Sequence, residues 1–97
     1  MADKPWYLKD SKIAKALEDF KAASDEKSVL DTKTKELLKF VVASLSRCTH
    51  CTQSHLKKAL AAGASKEEIS EALLIASVQS AAVEMNWNKE TFEKYLA

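Results

Sequence analysis

The chain contains a single glycine, Gly63, and a single proline, Pro5, among its 97 residues. Sharp turns are therefore possible at few positions, because glycine and proline are the residues that most readily redirect a backbone. Alanine, leucine, lysine and glutamate dominate the remainder, and this mixture favours helix over sheet. We therefore expect an all-α protein that forms a single domain over residues 1–97.

Apolar residues recur at helical spacing in the first half of the chain. A first helix is predicted over residues 11–23, and its apolar positions are Ile13, Leu17 and Phe20. Asp31 is a suitable N-cap for a second helix, which should end near residues 46–47. The buried stripe of that helix consists of Leu37, Leu38, Val41, Val42 and Leu45.

The second half of the chain contains start and stop signals for further helices. A third helix is expected over residues 48–62, because Gly63 provides a left-handed stop. The sequence SKEE, residues 65–68, is a capping box that begins a fourth helix, predicted over residues 66–84. A short final helix capped by Asn88 is expected to follow, which gives about five helices in all.

The stretch EALLIASVQSAAVEM, within the predicted fourth helix, is apolar on most of its sides. A helix that is apolar all round must be covered all round. A chain of 97 residues has little material for this. We therefore expect the protein to form a homo-oligomer.

Charge and hydropathy exclude several classes of partner. The net charge is +1, and lysines alternate with acidic residues, so no nucleic-acid arm or polybasic membrane patch is expected. The first ten residues lack the apolar core of a signal peptide, and no apolar run approaches the length of a membrane span. A cytoplasmic location is expected, where a cysteine pair is more often catalytic or metal-binding than a structural disulfide.

All the cysteines and histidines of the chain lie within SRCTHCTQSH, residues 46–55. On a helix Cys48, Cys51 and His55 share one face, whereas His50 points away from it. Glu36 lies on the preceding helix, where it is placed to orient His55. Two thiols at CxxC spacing close a disulfide after one is oxidised, and an imidazole one turn away takes a thiol proton.

The residues alone leave the roles of the two thiols open. The positive end of the helix dipole favours Cys48 as the more acidic thiol, whereas the spacing to His55 favours Cys51. Two other interpretations also remain. One is half of a zinc site, although a structural site usually has four ligands and His50 faces the wrong way. The other is a pair of inert buried cysteines, an interpretation that agrees less well with the clustering of all cysteines and histidines in one segment.

The spacing E-x11-C-x2-C-x3-H, formed by Glu36, Cys48, Cys51 and His55, resembles the active-site motif of the alkylhydroperoxidase D-like, carboxymuconolactone decarboxylase-like superfamily. His50 also falls where alkylhydroperoxidase D proteins carry a histidine between the cysteines. The resemblance extends over roughly residues 28–85. The chain has one copy of the helical unit, so it is similar to the small single-domain members.

The resemblance implies an all-helical bundle that assembles as a trimer or a hexamer. It implies that Cys51 is the attacking thiol and Cys48 the resolving thiol. His55 is then the proton acceptor, Glu36 its acidic partner and His50 an auxiliary residue of the site. These roles come from the family and are expectations for this chain.

The function implied is a thiol-dependent peroxidase or disulfide oxidoreductase of antioxidant type. Its substrate would be a hydroperoxide or a protein disulfide, and a dithiol or a thioredoxin-like protein would reduce it. No metal or bound cofactor is expected. Two alternatives are a decarboxylase-type lyase, the activity that names the superfamily, and a non-enzymatic redox-sensing oligomer.

Overall fold

A computed structural model describes residues 5–9 and 11–97. The residues described form helices and no strand, in agreement with the all-α prediction. A 3₁₀ turn at Trp6–Leu8 is followed by four α-helices. The α-helices are α1 (Lys12–Asp25), α2 (Thr32–Leu45), α3 (Thr49–Ala61) and α4 (Lys66–Leu96). Residues 1–4 and 10, which the single-domain prediction includes, lie outside the described residues.

The chain divides into two compact units, Met1–Asp31 and Thr32–Ala97. In the described part of the first unit, Ser11 caps α1, because its hydroxyl accepts a hydrogen bond from the backbone N–H of Ala14 at 3.0 Å. Helix α1 therefore begins and ends close to the predicted bounds of 11–23. The cysteine cluster belongs to the second unit.

In the second unit α2 packs against both α3 and α4. The buried residues on α2 are Glu36, Phe40 and Ala43, and the buried residues later in the unit are all alanines: Ala59, Ala64 and Ala76. The predicted buried stripe of α2 is therefore wrong, because α2 buries the face that contains Glu36 and leaves Leu38, Val42 and Leu45 exposed. No large side chain among the described residues is fully buried. Small alanines let the helices approach closely around one aromatic ring and one carboxylate, so this core is thin.

Both turns between the helices of the second unit use a Schellman motif. After α3, Gly63 has φ +95°, and the N–H groups of Gly63 and Ala64 donate to the carbonyls of Leu60 and Ala59 at 3.0 and 2.9 Å. The predicted left-handed stop at Gly63 is confirmed. The corresponding position after α2 is Arg47, with φ 60°, which no sequence signal indicated.

The capping box at the start of α4 is also confirmed. The backbone N–H of Glu68 donates to the Ser65 hydroxyl at 3.0 Å, and the Ser65 N–H donates to Oε1 of Glu68 at 2.9 Å. Oε2 of Glu68 accepts from the Lys33 ammonium at 2.8 Å, which ties the start of α4 to the start of α2.

The prediction of a separate fifth helix is wrong, because α4 continues from Lys66 to Leu96 over 31 residues. Asn88, the predicted N-cap, donates its side-chain amide to the carbonyl of Glu84 at 2.8 Å and stays within the helix. No glycine or proline lies between Lys66 and the end of the chain to interrupt α4. No helix among the described residues is long and apolar enough to cross a bilayer.

Substitutions at the left-handed positions of the two Schellman turns should change the free energy of unfolding in opposite directions. Gly63→Ala should lower the free energy of unfolding by about 1 kcal/mol, because a side chain is strained at positive φ. Crowding is not the reason, since no atom lies within 4 Å of the added Cβ. Arg47→Gly should raise the free energy of unfolding by about 1 kcal/mol for the converse reason. Urea unfolding at one protein concentration measures both, and shifts of the same sign would contradict the explanation.

The stability contributed by Glu68 should depend on pH. The hydrogen bond from Lys33, followed by that from the Ser65 backbone, holds the pKa of Glu68 below its usual 4.5. A carboxyl group with a lowered pKa stabilises the folded state above its unfolded pKa, and this stabilisation is lost as the pH falls through the folded pKa. The urea midpoint of Glu68→Gln should therefore lie below that of the wild type at pH 7, and the gap should narrow below pH ~4.5. A constant gap would exclude this role for the Glu68 charge.

Candidate functional site

Cys48 is positioned by the turn that ends α2. The backbone N–H of Cys48 donates to the carbonyl of Ala43 at 3.0 Å, and that of Arg47 donates to the carbonyl of Ser44 at 3.2 Å. With Arg47 at φ 60°, these bonds complete the first Schellman motif and reverse the chain within two residues. Cys48 is therefore both the last residue of one turn and the N-cap of α3.

Cys48 and Cys51 form a disulfide, with their Cα atoms 5.3 Å apart. The sulfur of Cys48 also accepts a hydrogen bond from the backbone N–H of Cys51 at 3.2 Å. It thus takes the place that a serine or aspartate oxygen commonly has at an N-cap. Both cysteines are half-buried, so a small reactant can approach the sulfurs from solvent.

Glu36 and His55 form a second pair beside the disulfide. Glu36 is 6% exposed, and its Oε2 accepts a hydrogen bond from Nδ1 of His55 at 2.7 Å, across 19 positions of sequence. A buried carboxylate requires such a partner, because burial of an unpaired charge is strongly unfavourable. Because Nδ1 donates to the carboxylate, Nε2 of a neutral ring is left as a proton acceptor.

The structure places the five predicted site residues in three groups. Cys48 and Cys51 are bonded to each other, and Glu36 is bonded to His55, which lies one turn after Cys51 on α3. No hydrogen bond between described residues joins the His55 ring to either sulfur. His50 is exposed, and its ring bonds to none of the described residues, so it stands apart from both pairs.

Two polar residues near these pairs were not predicted from the sequence. Lys39 lies one turn after Glu36 on α2, and its ammonium is 3.8 Å from Oε1 of Glu36. The i, i+3 spacing is a signal that would have found it. The hydroxyl of Thr52 donates to the carbonyl of Cys48 at 2.8 Å and adds a second link between the cysteine turn and α3.

Across residues 5–9 and 11–97, no three histidine, cysteine, aspartate or glutamate side chains are grouped closely enough to hold a metal ion. The two sulfurs are engaged with each other. A cysteine pair next to a carboxylate–imidazole pair is an arrangement that can exchange thiols with a disulfide and transfer protons.

Comparison with known proteins identifies relatives of this site. The sequence model of the carboxymuconolactone decarboxylase family matches residues 11–87. A protein of Paracoccus denitrificans, "Uncharacterized protein 4 in cox locus", is 40% identical over 48 residues, which are 50% of this chain and 43% of that protein. The chain thus matches less than half the length of this curated relative.

A solved structure has the same fold. The crystal structure of a structural-genomics target protein from Methanobacterium thermoautotrophicum superposes with a TM-score of 0.77 at 27% sequence identity. The match covers 87% of this chain and 97% of that one. Nearly the whole of that small protein therefore corresponds to this chain.

The capping role of Cys48 can be separated from its redox role under reducing conditions. Cys48→Ser retains an acceptor for the Cys51 N–H and should leave the free energy of unfolding nearly unchanged. Cys48→Ala leaves that N–H without its acceptor and should lower the free energy of unfolding by about 1 kcal/mol. Thermal or urea unfolding with excess reductant measures both. Equal losses in the two variants would show that the sulfur does not act as a cap.

Proposed function

Because the chain belongs to the carboxymuconolactone decarboxylase family, we propose that it is a thiol-dependent peroxidase or disulfide oxidoreductase whose redox pair is Cys48 and Cys51. One observation carries the proposal. The two cysteines are joined as a disulfide at the start of α3, next to a buried Glu36–His55 hydrogen bond. A structural disulfide needs no proton relay beside it, whereas a catalytic one must move protons in each half of its cycle.

In the oxidative half the Cys51 thiolate attacks the terminal oxygen of a hydroperoxide. An S–O bond forms, the O–O bond breaks, and the departing alkoxide takes a proton to become an alcohol. The Cys48 thiol then attacks the sulfenic sulfur, so that an S–S bond forms and the oxygen leaves as water after protonation. Two electrons pass from the sulfur pair to the peroxide, and the product is the disulfide seen at the start of α3.

The reductive half uses the capping position of Cys48. An external dithiol attacks Cys51, and Cys48 leaves as a thiolate that the Cys51 N–H and the amino end of α3 stabilise. The second thiol of the reductant then displaces Cys51 and closes its own disulfide. The helix start therefore assists Cys48 as a leaving group, and this role is compatible with attack by Cys51 in the oxidative half.

His55 is proposed as the group that moves these protons, through Nε2, while Glu36 holds the ring by its Nδ1–H. No direct hydrogen bond joins His55 to the disulfide, so a water molecule would link the ring to Cys51. Lys39 balances the charge on the second oxygen of Glu36. His50 is proposed only as an auxiliary residue at the exposed rim.

The proposal also specifies the substrates, the reductant and the oligomeric state. Substrates are hydroperoxides or protein disulfides, the reductant is a dithiol or a thioredoxin-like protein, and no bound cofactor takes part. A cytoplasmic location would keep that reductant available. A trimer or hexamer is proposed because α4 leaves large apolar side chains exposed. They include Leu74, Ile75, Val78, Val83, Met85 and Trp87.

The test is consumption of peroxide by the reduced protein in the presence of excess dithiol. The wild type should turn over many times per subunit. Cys51→Ser should abolish turnover, and Cys48→Ser should slow it, because the external dithiol must then reduce the Cys51 sulfenic acid in place of the resolving thiol. Glu36→Gln should reduce the rate by about 10²-fold or more, since the relay loses its acidic partner.

Circular dichroism and thiol counts before and after each run are the controls. Consumption of about one equivalent per cysteine pair by the wild type would identify a redox sensor instead of an enzyme. Unreactive thiols together with lactone decarboxylase activity in both serine variants would overturn the proposal in favour of a lyase.

A further inference from the structure

The segment that contains the cysteines has no acidic residue. All 14 aspartates and glutamates of the chain lie outside residues 37–66, whereas that segment contains five lysines and arginines and both histidines. The alternation of lysines with acidic residues, which excluded a basic patch, therefore does not extend to this part of the chain. A charge of one sign around a reactive site favours reactants of the opposite sign.

On α3 the basic residues lie on the same side of the helix as Cys51. At about 100° per residue, the fully buried Ala59 lies about 80° from Cys51 in one direction. Lys58, His50 and Lys57 lie about 20°, 100° and 120° from Cys51 in the other direction, and all three are exposed. The half-buried Cys51 therefore lies between the packed face of α3 and an exposed basic face.

Arg47 extends this face beyond the amino end of α3, because it directly precedes the cap residue Cys48 and is exposed. We call Arg47, His50, Lys57 and Lys58 the basic strip. Its three cations form no ion pair with any residue that the structure describes. Their charges are therefore available to a partner.

The basic strip is unlike the surface assigned to the homo-oligomer. The exposed apolar side chains that support assembly lie on α4, whereas the strip lies at the start of α3 and along it. Subunit interfaces are depleted in lysine, and burial of like charges without acidic partners is unfavourable. A subunit covering the strip would also block the approach to Cys51 that the proposed reaction requires.

We propose that the basic strip docks the protein that reduces the Cys48–Cys51 disulfide, and that this reductant carries acidic side chains around its own dithiol. The inference rests on the proposed function, because it concerns the partner of the same site. From His50 to Lys58 the strip rises by roughly 12 Å at 1.5 Å per residue. A small anionic dithiol would reach one or two of its charges, whereas the acidic rim of a protein can contact all of them.

In the docked complex one thiolate of the reductant attacks Cys51, and Cys48 leaves as a thiolate. The second thiol of the reductant then displaces Cys51 and closes the disulfide of the reductant. Two electrons pass to the Cys48–Cys51 pair, and the two protons of the reductant dithiol are released to the new thiols or to water. Opposite charges around the two sulfur pairs accelerate the encounter without taking part in these bonds.

Three synthetic dithiol peptides test the inference. They share one CxxC sequence and differ in flanking residues, which are glutamates, glutamines or lysines. Each is mixed with the oxidised full chain, and the appearance of the Cys48 and Cys51 thiols is followed by acid quench and alkylation. Each rate is divided by the rate of the same peptide with an uncharged small disulfide, which removes differences in thiol reactivity.

At low ionic strength the glutamate peptide should reduce the disulfide about 10-fold faster than the glutamine peptide, and the lysine peptide should be the slowest. This advantage should disappear at about 1 M salt, where the Debye length is about 3 Å. Lys57→Glu together with Lys58→Glu should reverse the order of the glutamate and lysine peptides.

Lys89→Glu together with Lys94→Glu is the matched control, because it makes the same change of charge at exposed positions near the end of α4. It should leave the order of the peptides unchanged. Uncharged dithiothreitol should reduce both double variants at the wild-type rate, since neither pair of substitutions involves a residue bonded to the cysteines.

Equal rates for the glutamate and glutamine peptides, with normal reduction by dithiothreitol, would overturn this inference and leave the proposed function intact. A disulfide that dithiothreitol fails to reduce would remove the proposed function as well. Dissociation of the homo-oligomer by Lys57→Glu with Lys58→Glu, measured by sedimentation velocity, would assign the strip to a second copy of the chain instead. Binding of single-stranded DNA more tightly than the glutamate peptide would assign it to nucleic acid.

Discussion

The hydrogen bond between Glu36 and His55 is the interaction on which the arrangement of this unit depends. Through it a buried carboxylate of α2 accepts a hydrogen bond from α3. Around it the core contains little more than Phe40 and several alanines, so a misplaced α3 would lose few apolar contacts but would leave Oε2 of Glu36 without its hydrogen bond. The penalty for a buried polar atom without a hydrogen bond exceeds the gain from burying a few methyl groups. The same bond therefore fixes the packing of the helices and the orientation of the imidazole.

At the other end of α2, the turn at Arg47 positions Cys48 at the start of α3. It reverses the chain within two residues. The sulfur of Cys48 therefore lies at the first turn of α3, where it accepts the capping hydrogen bond from the Cys51 N–H. The proposed redox pair is therefore held by backbone hydrogen bonds, while the proposed proton relay is held by a hydrogen bond between two side chains.

Much of this could be predicted from the sequence, for physical reasons that act locally. Gly63 and the Ser65–Glu68 capping box specify the turn between α3 and α4 from within six residues. The pairing of Glu36 with His55 was expected because Glu36 lies on the preceding helix and both residues belong to the spacing E-x11-C-x2-C-x3-H. The family match covers residues 11–87, which contain that spacing.

The errors arose where local signals were ambiguous. Asn88 is a good N-cap residue, but its amide bonds back to Glu84 and the helix continues, since nothing in the chain there forces a break. Arg47 gave no signal because arginine rarely adopts positive φ, and its conformation is imposed by the hairpin rather than chosen by the residue.

The length of α4 has a consequence for how the protein becomes ordered. Its 31 residues span about 46 Å, whereas the 14 residues of α2 span about 21 Å. Beyond Ala76 nearly every residue of α4 is exposed, and only Ala82 and Asn88 are half-buried. A helical segment of about twenty residues without tertiary contacts is marginal in water. Helicity in the carboxy-terminal half of α4 is therefore linked to whatever covers it, and in the proposed homo-oligomer dilution should unwind this end first while the cysteine hairpin stays folded.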